Sequence, residues 1–358
     1  WFISKLGTTS LAAVALAFPV IMLTQQMAFG ALGGAVTSSI ARSLGAEDKE
    51  RAEKLLWHSL LLSCCGYLLF FLIFFIGGES LLMALGGEGS LLEESLLYIK
   101  IFLTGAIFIW LSGTLSAALR GIGNMRFPAL LMILGSGIQV ILAGGLILGW
   151  FGFPKLGIIG APLSAISVAA LMAIVMILKF MHSSSNVQLK LSNLSFKKEL
   201  FRDIFNVALP ASLAPIFTVG TILILTGLVG QFGVSALAGY GIGSRIEFLM
   251  IPLVFGIGTA MTTMVGTNIG ANKVNRAERI GWLGGSFAGL FSGMIGLILI
   301  LSSSYWINFF ATDQATYEVT KQYIEIVGLC FTFQGLGLSL YFASQGANAM
   351  KWPIIATV

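Results

Sequence analysis

The chain has 358 residues, a net charge of +5, and 57% hydrophobic against 10% charged residues, with a mean hydropathy of +0.94. That balance excludes a soluble globular domain and marks a polytopic α-helical membrane protein. The positive charge does not point to nucleic acid, because the basic residues fall in short loops between apolar runs.

Apolar runs of spanning length predict nine complete helices, at 11–40, 55–77, 97–119, 128–150, 158–181, 203–230, 236–267, 279–303 and 322–344. Several exceed the ~20 residues that cross a bilayer, so tilt, kinks or extension beyond the lipid are expected. Residues 1–8 read as the tail of a preceding helix and 352–358 as the start of a following one. Both ends therefore read as interior to a longer chain, with six spans in each half. The long polar stretch 182–200 is expected to link an N-terminal lobe over 1–181 to a C-terminal lobe over 201–358. Lys and Arg concentrate in alternate loops: Arg42 to Lys54, Arg120 to Arg126, the linker, Lys273 to Arg279, and Lys351. These loops are assigned to the cytoplasm.

The two halves repeat each other. Gly7 to Ala12 returns as Gly233 to Ala238, and Phe29-Gly30 as Phe255-Gly256, both at an offset of 226. One residue is then lost. Gly45-Ala46, Arg51-Ala52-Glu53 and Trp57 return as Gly270-Ala271, Arg276-Ala277-Glu278 and Trp282 at an offset of 225. Tyr98-Ile99 matches Tyr323-Ile324 in the same register. With an even number of spans per half, the copies share one orientation, and that architecture belongs to transporters.

No Ser-His-Asp set, nucleotide loop or metal-ligand cluster is present, which argues against an enzyme. Cys64, Cys65 and Cys330 lie in apolar runs with neither metal spacing nor a disulfide frame. His58 and His182 are too few for a metal site. Charges inside the membrane are costly and tend to be functional. Most carboxylates, Glu53 and Glu278 among them, fall in or beside predicted loops; Glu247 stands apart from every one. Its functional reading is a proton or cation site facing a cavity, since desolvation favours the neutral form of a carboxyl group. The structural alternative is a buried ion pair with Arg245. Arg245 is itself read as an anion or headgroup contact, or as the counter-charge of Glu247. Lys100 and Glu325 occupy matching positions near outer helix ends and read as snorkelling side chains. The intramembrane amides Gln25, Gln26, Gln139, Asn268 and Gln334 are cavity or helix-packing candidates. The binding set drawn from these is Glu247, Arg245, Gln139, Gln25 and Gln334.

The loop from Arg42 to Glu53 with its echo from Thr267 to Glu278, the segment Phe153 to Ala161, and the span openings Leu11-Ala12-Ala13 and Leu237-Ala238-Gly239 resemble the multidrug and toxic compound extrusion (MATE) family. The resemblance covers essentially the whole chain. It implies an all-α membrane fold of twelve helices in two pseudo-symmetric six-helix lobes around a central cleft, here cut at both ends. It further implies a secondary active antiporter that exports cationic or amphiphilic organic compounds by alternating access, in exchange for Na⁺ or H⁺. On the family's frame the chain runs from the end of the first helix to the start of the eleventh, without the membrane Asp usual in the first helix. Gln139 and Ala143 stand where the fifth helix often has Asn and Asp. No Glu follows Pro210 in the segment corresponding to the seventh helix. These departures leave Glu247 as the main ion-site candidate, and the Arg245-Ile246-Glu247 element resembles the branch of DNA-damage-inducible exporters. The expected partners are small organic cations or amphiphiles and the lipid bilayer, with no cofactor beyond the coupling ion. The protein is expected to be a monomer in the inner (plasma) membrane. Two other readings are a lipid-linked oligosaccharide flippase of the same superfamily, and a channel or integral-membrane enzyme. The first calls for a more cationic cavity than one deep Arg supplies, and the second for a charged pore ring or a polar cluster at one membrane face.

Overall fold

A computed structural model describes residues 1–182, 187–193, 195–248, 250–308, 310 and 313–357. Residues 183–186 and 194 of the expected linker, Leu249 in the span that carries Glu247, and Val358 lie outside the described residues. Among the described residues the secondary structure is helical throughout: α1 Thr8–Gly45, α2 Lys49–Ala84, α3 Gly89–Gly121, α4 Arg126–Leu148, α5 Gly160–Met181, α6 Lys198–Gly230, α7 Val234–Phe248, α8 Met250–Gly270, α9 Val274–Leu301, the short α10 Ser303–Asn308, α11 Gln314–Gly346 and α12 Lys351–Thr357. Among the described residues, nine helical segments are long and apolar enough to cross a membrane, with α7 and α8 contributing one span, Val234–Gly270. A helix is the natural choice there, because lipid offers no partner to an unpaired N–H or C=O. The 36 residues of α2 reach about 54 Å at ~1.5 Å per residue, beyond the ~30 Å hydrocarbon layer. Ile3–Lys5 form a 3₁₀ turn, and Gly7 at φ 123 breaks the backbone between it and the start of α1.

Contacts divide the chain into two compact units, Trp1–Leu44 with Asp48–Ser212, and Gly45–Glu47 with Leu213–Val358. In the first, α3 is the central helix, packed against α1, α2 and α5, with α4 on α5. Ala13, Ala17 and Val20 of α1 meet Tyr98, Ile99 and Phe102 of α3 in its core. In the second, α11 is central and packs against α7, α8 and α9. Close approach there relies on small residues, as expected where lipid supplies no hydrophobic drive. A Cβ on Gly335, for example, would collide with Ser292. Large apolar side chains such as Phe75 and Ile76 point outward, the arrangement a lipid solvent favours.

The internal repeat is carried by the backbone. α3 and α11 begin and end 225 residues apart, as do the starts of α2 and α9 and of α4 and α12. Left-handed residues recur in register: Gly7 with Gly233, Glu47 with Asn272, and Gly123 with Asn348. Helix-to-helix hydrogen bonds recur as well. Thr37 Oγ1 donates to the carbonyl of Ala117 at 2.9 Å, and Thr262 Oγ1 to that of Phe342 at 2.8 Å. Ser95 Oγ donates to the Ala13 carbonyl, and Thr320 Oγ1 to the Gly239 carbonyl, both at 3.3 Å.

The one-residue slip in the repeat has a physical location. Residues Gln26–Leu32 of α1 form a π-helical stretch, and such a stretch accommodates one extra residue within an α-helix. Buried positions Ala13, Ala17, Val20, Thr24 and Ala28 match Gly239, Gly243, Ile246, Met250 and Val254 at an offset of 226. Beyond it, Gly33 and Thr37 match Gly258 and Thr262 at 225. The second copy steps four residues from Val254 to Gly258, and the first steps five from Ala28 to Gly33. The wide turn keeps the same face of α1 against α3 on both sides of the insertion.

Candidate functional site

Glu247 sits in the last turn of α7, half-buried against α11. Its two carboxylate oxygens are shared between two donors. Tyr323 donates its hydroxyl to Oε2 at 2.5 Å, and Gln334 donates Nε2 to Oε1 at 3.0 Å. Tyr323 and Gln334 are 11 residues apart, three helical turns, and so project from one face of α11 roughly 16 Å apart along its axis. Glu247 occupies the space between them. The approach of α7 to α11 depends on Gly243, where a Cβ would run into the Tyr323 ring. The Tyr240 ring meets that of Tyr323 edge-on at 5.7 Å. A small crevice of about 10 Å³ opens beside the carboxylate, lined by Gly243, Ile246, Glu247, Tyr323, Ile324, Val327 and Phe331 among others. The result is a single carboxylate with oriented donors in an otherwise apolar lining, suited to a proton or one cationic group.

Of the residues singled out in the sequence, Glu247 and Gln334 are brought together. Arg245 is not: it is exposed, and none of the ion pairs among the described residues includes it. The structural alternative, a buried Glu247–Arg245 ion pair, is absent among the described residues, because residues two apart on a helix point to different faces. Gln25 and Gln139 are exposed positions of the first unit. The site is also asymmetric between the repeats. Tyr323 corresponds to Tyr98, but Glu247 and Gln334 correspond to Ile21 and Ile109.

Sequence reasoning passed over Tyr323 and a buried polar cluster in the first unit. Glu53 is only 4% exposed and His58 only 2%. Glu53 accepts the backbone N–H of Gln188 at 3.2 Å and Asn193 Nδ2 at 2.6 Å. His58 Nε2 accepts the N–H of Lys197 at 3.0 Å while Nδ1 faces the Lys54 carbonyl at 2.7 Å; that arrangement fits the neutral ring protonated at Nδ1. Trp57 Nε1 donates to the Lys190 carbonyl at 2.9 Å. Asp203 bridges Arg42 at 2.6 Å and Arg51 at 3.0 Å. The described part of the linker is thus fastened to the start of α2. The Arg-Ala-Glu element and Trp57 were visible as a repeat, but a run of charges beside a loop does not reveal that a later segment folds back over it.

A sequence-family model described as MatE matches residues 1–144 and 210–358. The chain belongs to the MATE family. It is 26% identical to a probable multidrug resistance protein NorM of Thermotoga maritima, over 99% of this chain and 76% of that protein. It is also 26% identical to the multidrug export protein MepA of Staphylococcus aureus, over 96% and 76%, and to an FAD transporter of Shewanella oneidensis, over 100% and 78%. The fold matches the outward-facing conformation of a multidrug resistance MATE family transporter of the MOP superfamily, with TM-score 0.91, 25% identity and coverage of 99% and 79%. This MATE chain is a multi-pass membrane transporter of the multidrug efflux family and not an enzyme.

Proposed function

We propose that this MATE chain acts in a secondary active antiporter that exports cationic or amphiphilic organic compounds in exchange for Na⁺ or H⁺, with Glu247 as the group on which ion and substrate compete. The observation that supports it most is the carboxylate of Glu247 held between Tyr323 and Gln334 beside an apolar crevice. A lone carboxylate so placed takes either a small coupling ion or an organic cation. Occupancy by one then disfavours the other, and that exclusion is what couples two opposite fluxes. Each ligand shifts the transporter only by its differential affinity for the two access states. The names of the relatives, two multidrug resistance or export proteins and one FAD transporter, fit an amphiphilic small-molecule cargo. The membrane assigned is the plasma membrane, inner where there are two.

The test is efflux of a fluorescent lipophilic cation from vesicles holding the protein, under an imposed H⁺ or Na⁺ gradient, for the wild type and Glu247→Gln. Transport by the wild type and none by a folded variant supports the role of Glu247, and the effective gradient names the ion. Equal transport by both makes Glu247 structural. Passive flux without any gradient revives the channel reading, and no movement of the cation turns attention to lipid-linked substrates.

A further inference from the structure

His58 is buried in the first unit, and both of its ring nitrogens are engaged. Nδ1 lies 2.7 Å from the Lys54 carbonyl, four residues back on α2. A carbonyl only accepts, so Nδ1 carries the ring proton and Nε2 keeps its lone pair. That lone pair takes the N–H of Lys197 at 3.0 Å. α6 begins at this point, since the Lys197 carbonyl accepts the N–H of Leu200 at 3.1 Å and of Phe201 at 3.4 Å. One imidazole nitrogen therefore fastens the start of α6 to α2 across 139 residues of sequence. The Phe201 ring meets the imidazole edge-on at 4.5 Å, and the Phe196 ring lies at 6.4 Å.

We propose that His58 is a pH-sensitive latch: a proton taken up from water at Nε2 releases the Lys197 N–H and frees the start of α6. An imidazolium donates from both nitrogens and accepts at neither. Protonation turns the acceptor into a donor that faces another donor. The fastened state admits no proton at Nε2 and the released state does, so falling pH favours release. Histidine is the side chain whose ordinary titration lies between pH 5 and 8. The carboxylates nearby are committed elsewhere. On α2, Asp48 accepts the Arg51 N–H, Glu50 pairs with Lys54, and Glu53 accepts from Gln188 and Asn193. On α6, Asp203 is shared by Arg42 and Arg51, and Glu199 is exposed. No Asp or Glu occurs between residues 95 and 198. The body of α3, α5 and the linker therefore supply no counter-charge for an imidazolium, and bring instead Arg120, Lys179, Lys190 and Lys197. The linker falls on the face that its Lys residues assign to the cytoplasm, so the pH sensed is the cell's own. This latch stands apart from the Glu247 site, and either reading survives failure of the other.

The test is amide exchange of residues 195–201 by mass spectrometry, on the purified protein in lipid nanodiscs, at about pH 7.5 and about pH 5.5, near the two ends of the histidine range. Rates are divided by those of a free peptide of the same sequence, which removes the intrinsic effect of pH. Wild-type protection should fall about tenfold at the lower pH, the factor that loss of one buried acceptor carries. His58→Gln offers a side-chain oxygen that accepts at either pH, and should hold protection constant. His58→Phe keeps a ring against Phe201 but accepts nothing, and should be deprotected at both. Exchange in α9 serves as the control for folding. Wild-type protection that ignores pH overturns the proposal. So does a fall that persists in His58→Gln, because the proton then acts at Glu53 or Asp203. His58→Phe protected as well as the wild type at the higher pH overturns it too, because the bond then holds nothing.

Discussion

The hydroxyl of Tyr323 lies 2.5 Å from Oε2 of Glu247, although the two residues are 76 apart in sequence. A hydrogen bond to a charged group contributes roughly 1.5–3 kcal/mol, and less for a half-exposed partner. Tyr323→Phe is therefore expected to leave the protein folded while slowing gradient-driven efflux by about one order of magnitude. Gly243→Ala should reproduce that loss without touching a polar atom, because the added Cβ displaces the Tyr323 ring. Vesicle efflux rates check both, and a Gly243→Ala protein with normal transport would separate the tyrosine's position from its role.

Removal of the Glu53 carboxylate should release the linker. Glu53→Ala leaves the Gln188 N–H and the Asn193 amide without their acceptor, at about 1–3 kcal/mol for each buried polar group left unsatisfied. Limited trypsin digestion should then cut after Lys190 or Lys197 about tenfold faster than in the wild type. Glu53→Gln, which keeps an acceptor oxygen, should fall between the two. Indistinguishable digestion of all three proteins would show that the linker stays down by other means.

The π-helical turn makes an unusual prediction about deletions. Loss of Gly30 should convert Gln26–Leu32 to regular helix and bring α1 into the spacing already used by the second copy. The deleted protein should fold and purify as a single species. Loss of Gly256, its counterpart, has no wide turn to absorb it. One missing residue there turns the buried faces of α7 and of the start of α8 by about 100° relative to the rest of α8, and the protein should aggregate or be degraded. Size-exclusion profiles in detergent report both outcomes, and equal behaviour of the two deletions would sink the explanation.

Asp313 caps α11, accepting the Thr316 N–H at 2.8 Å and the Thr316 hydroxyl at 2.7 Å. Those bonds, the backbone one first, hold its carboxyl below the usual carboxylate range. A lowered folded-state pKa stabilises above the ordinary value, and that contribution is lost as pH falls through the lowered one. Amide exchange in the first turn of α11 should accordingly quicken under acid or on Asp313→Ala. Glu88, at the same place before α3, makes no side-chain cap bond, so Glu88→Ala should leave the start of α3 unchanged.

Much of the fold was readable from spacing alone. Apolar run length located the spans, because the bilayer fixes how long a helix must be, and the repeat announced equivalent elements before their packing was known. Arg245 and Glu247 show where such reading stops. Rarity marks a charge as important, but its partner depends on which face of a neighbouring helix arrives beside it, and Tyr323 comes from a span far along the chain. Glu53 shows the converse: proximity to a loop suggested solvent, and burial came from a segment more than 130 residues later. The slip from 226 to 225 was visible in sequence, yet only the backbone identifies it as a π turn.

The paired threonines, Thr37 and Thr262, bear on how such a duplicated chain ages. Each donates to a main-chain oxygen, of Ala117 in one copy and Phe342 in the other. An oxygen of the main chain survives any replacement at its own residue, so the receiving position is released from selection on side-chain identity and the giving position is not. Drift should be lopsided across each such bond: the hydroxyl is held in place while its acceptor changes size from methyl to benzyl, and the two halves grow dissimilar in composition while the helix crossing stays as it was.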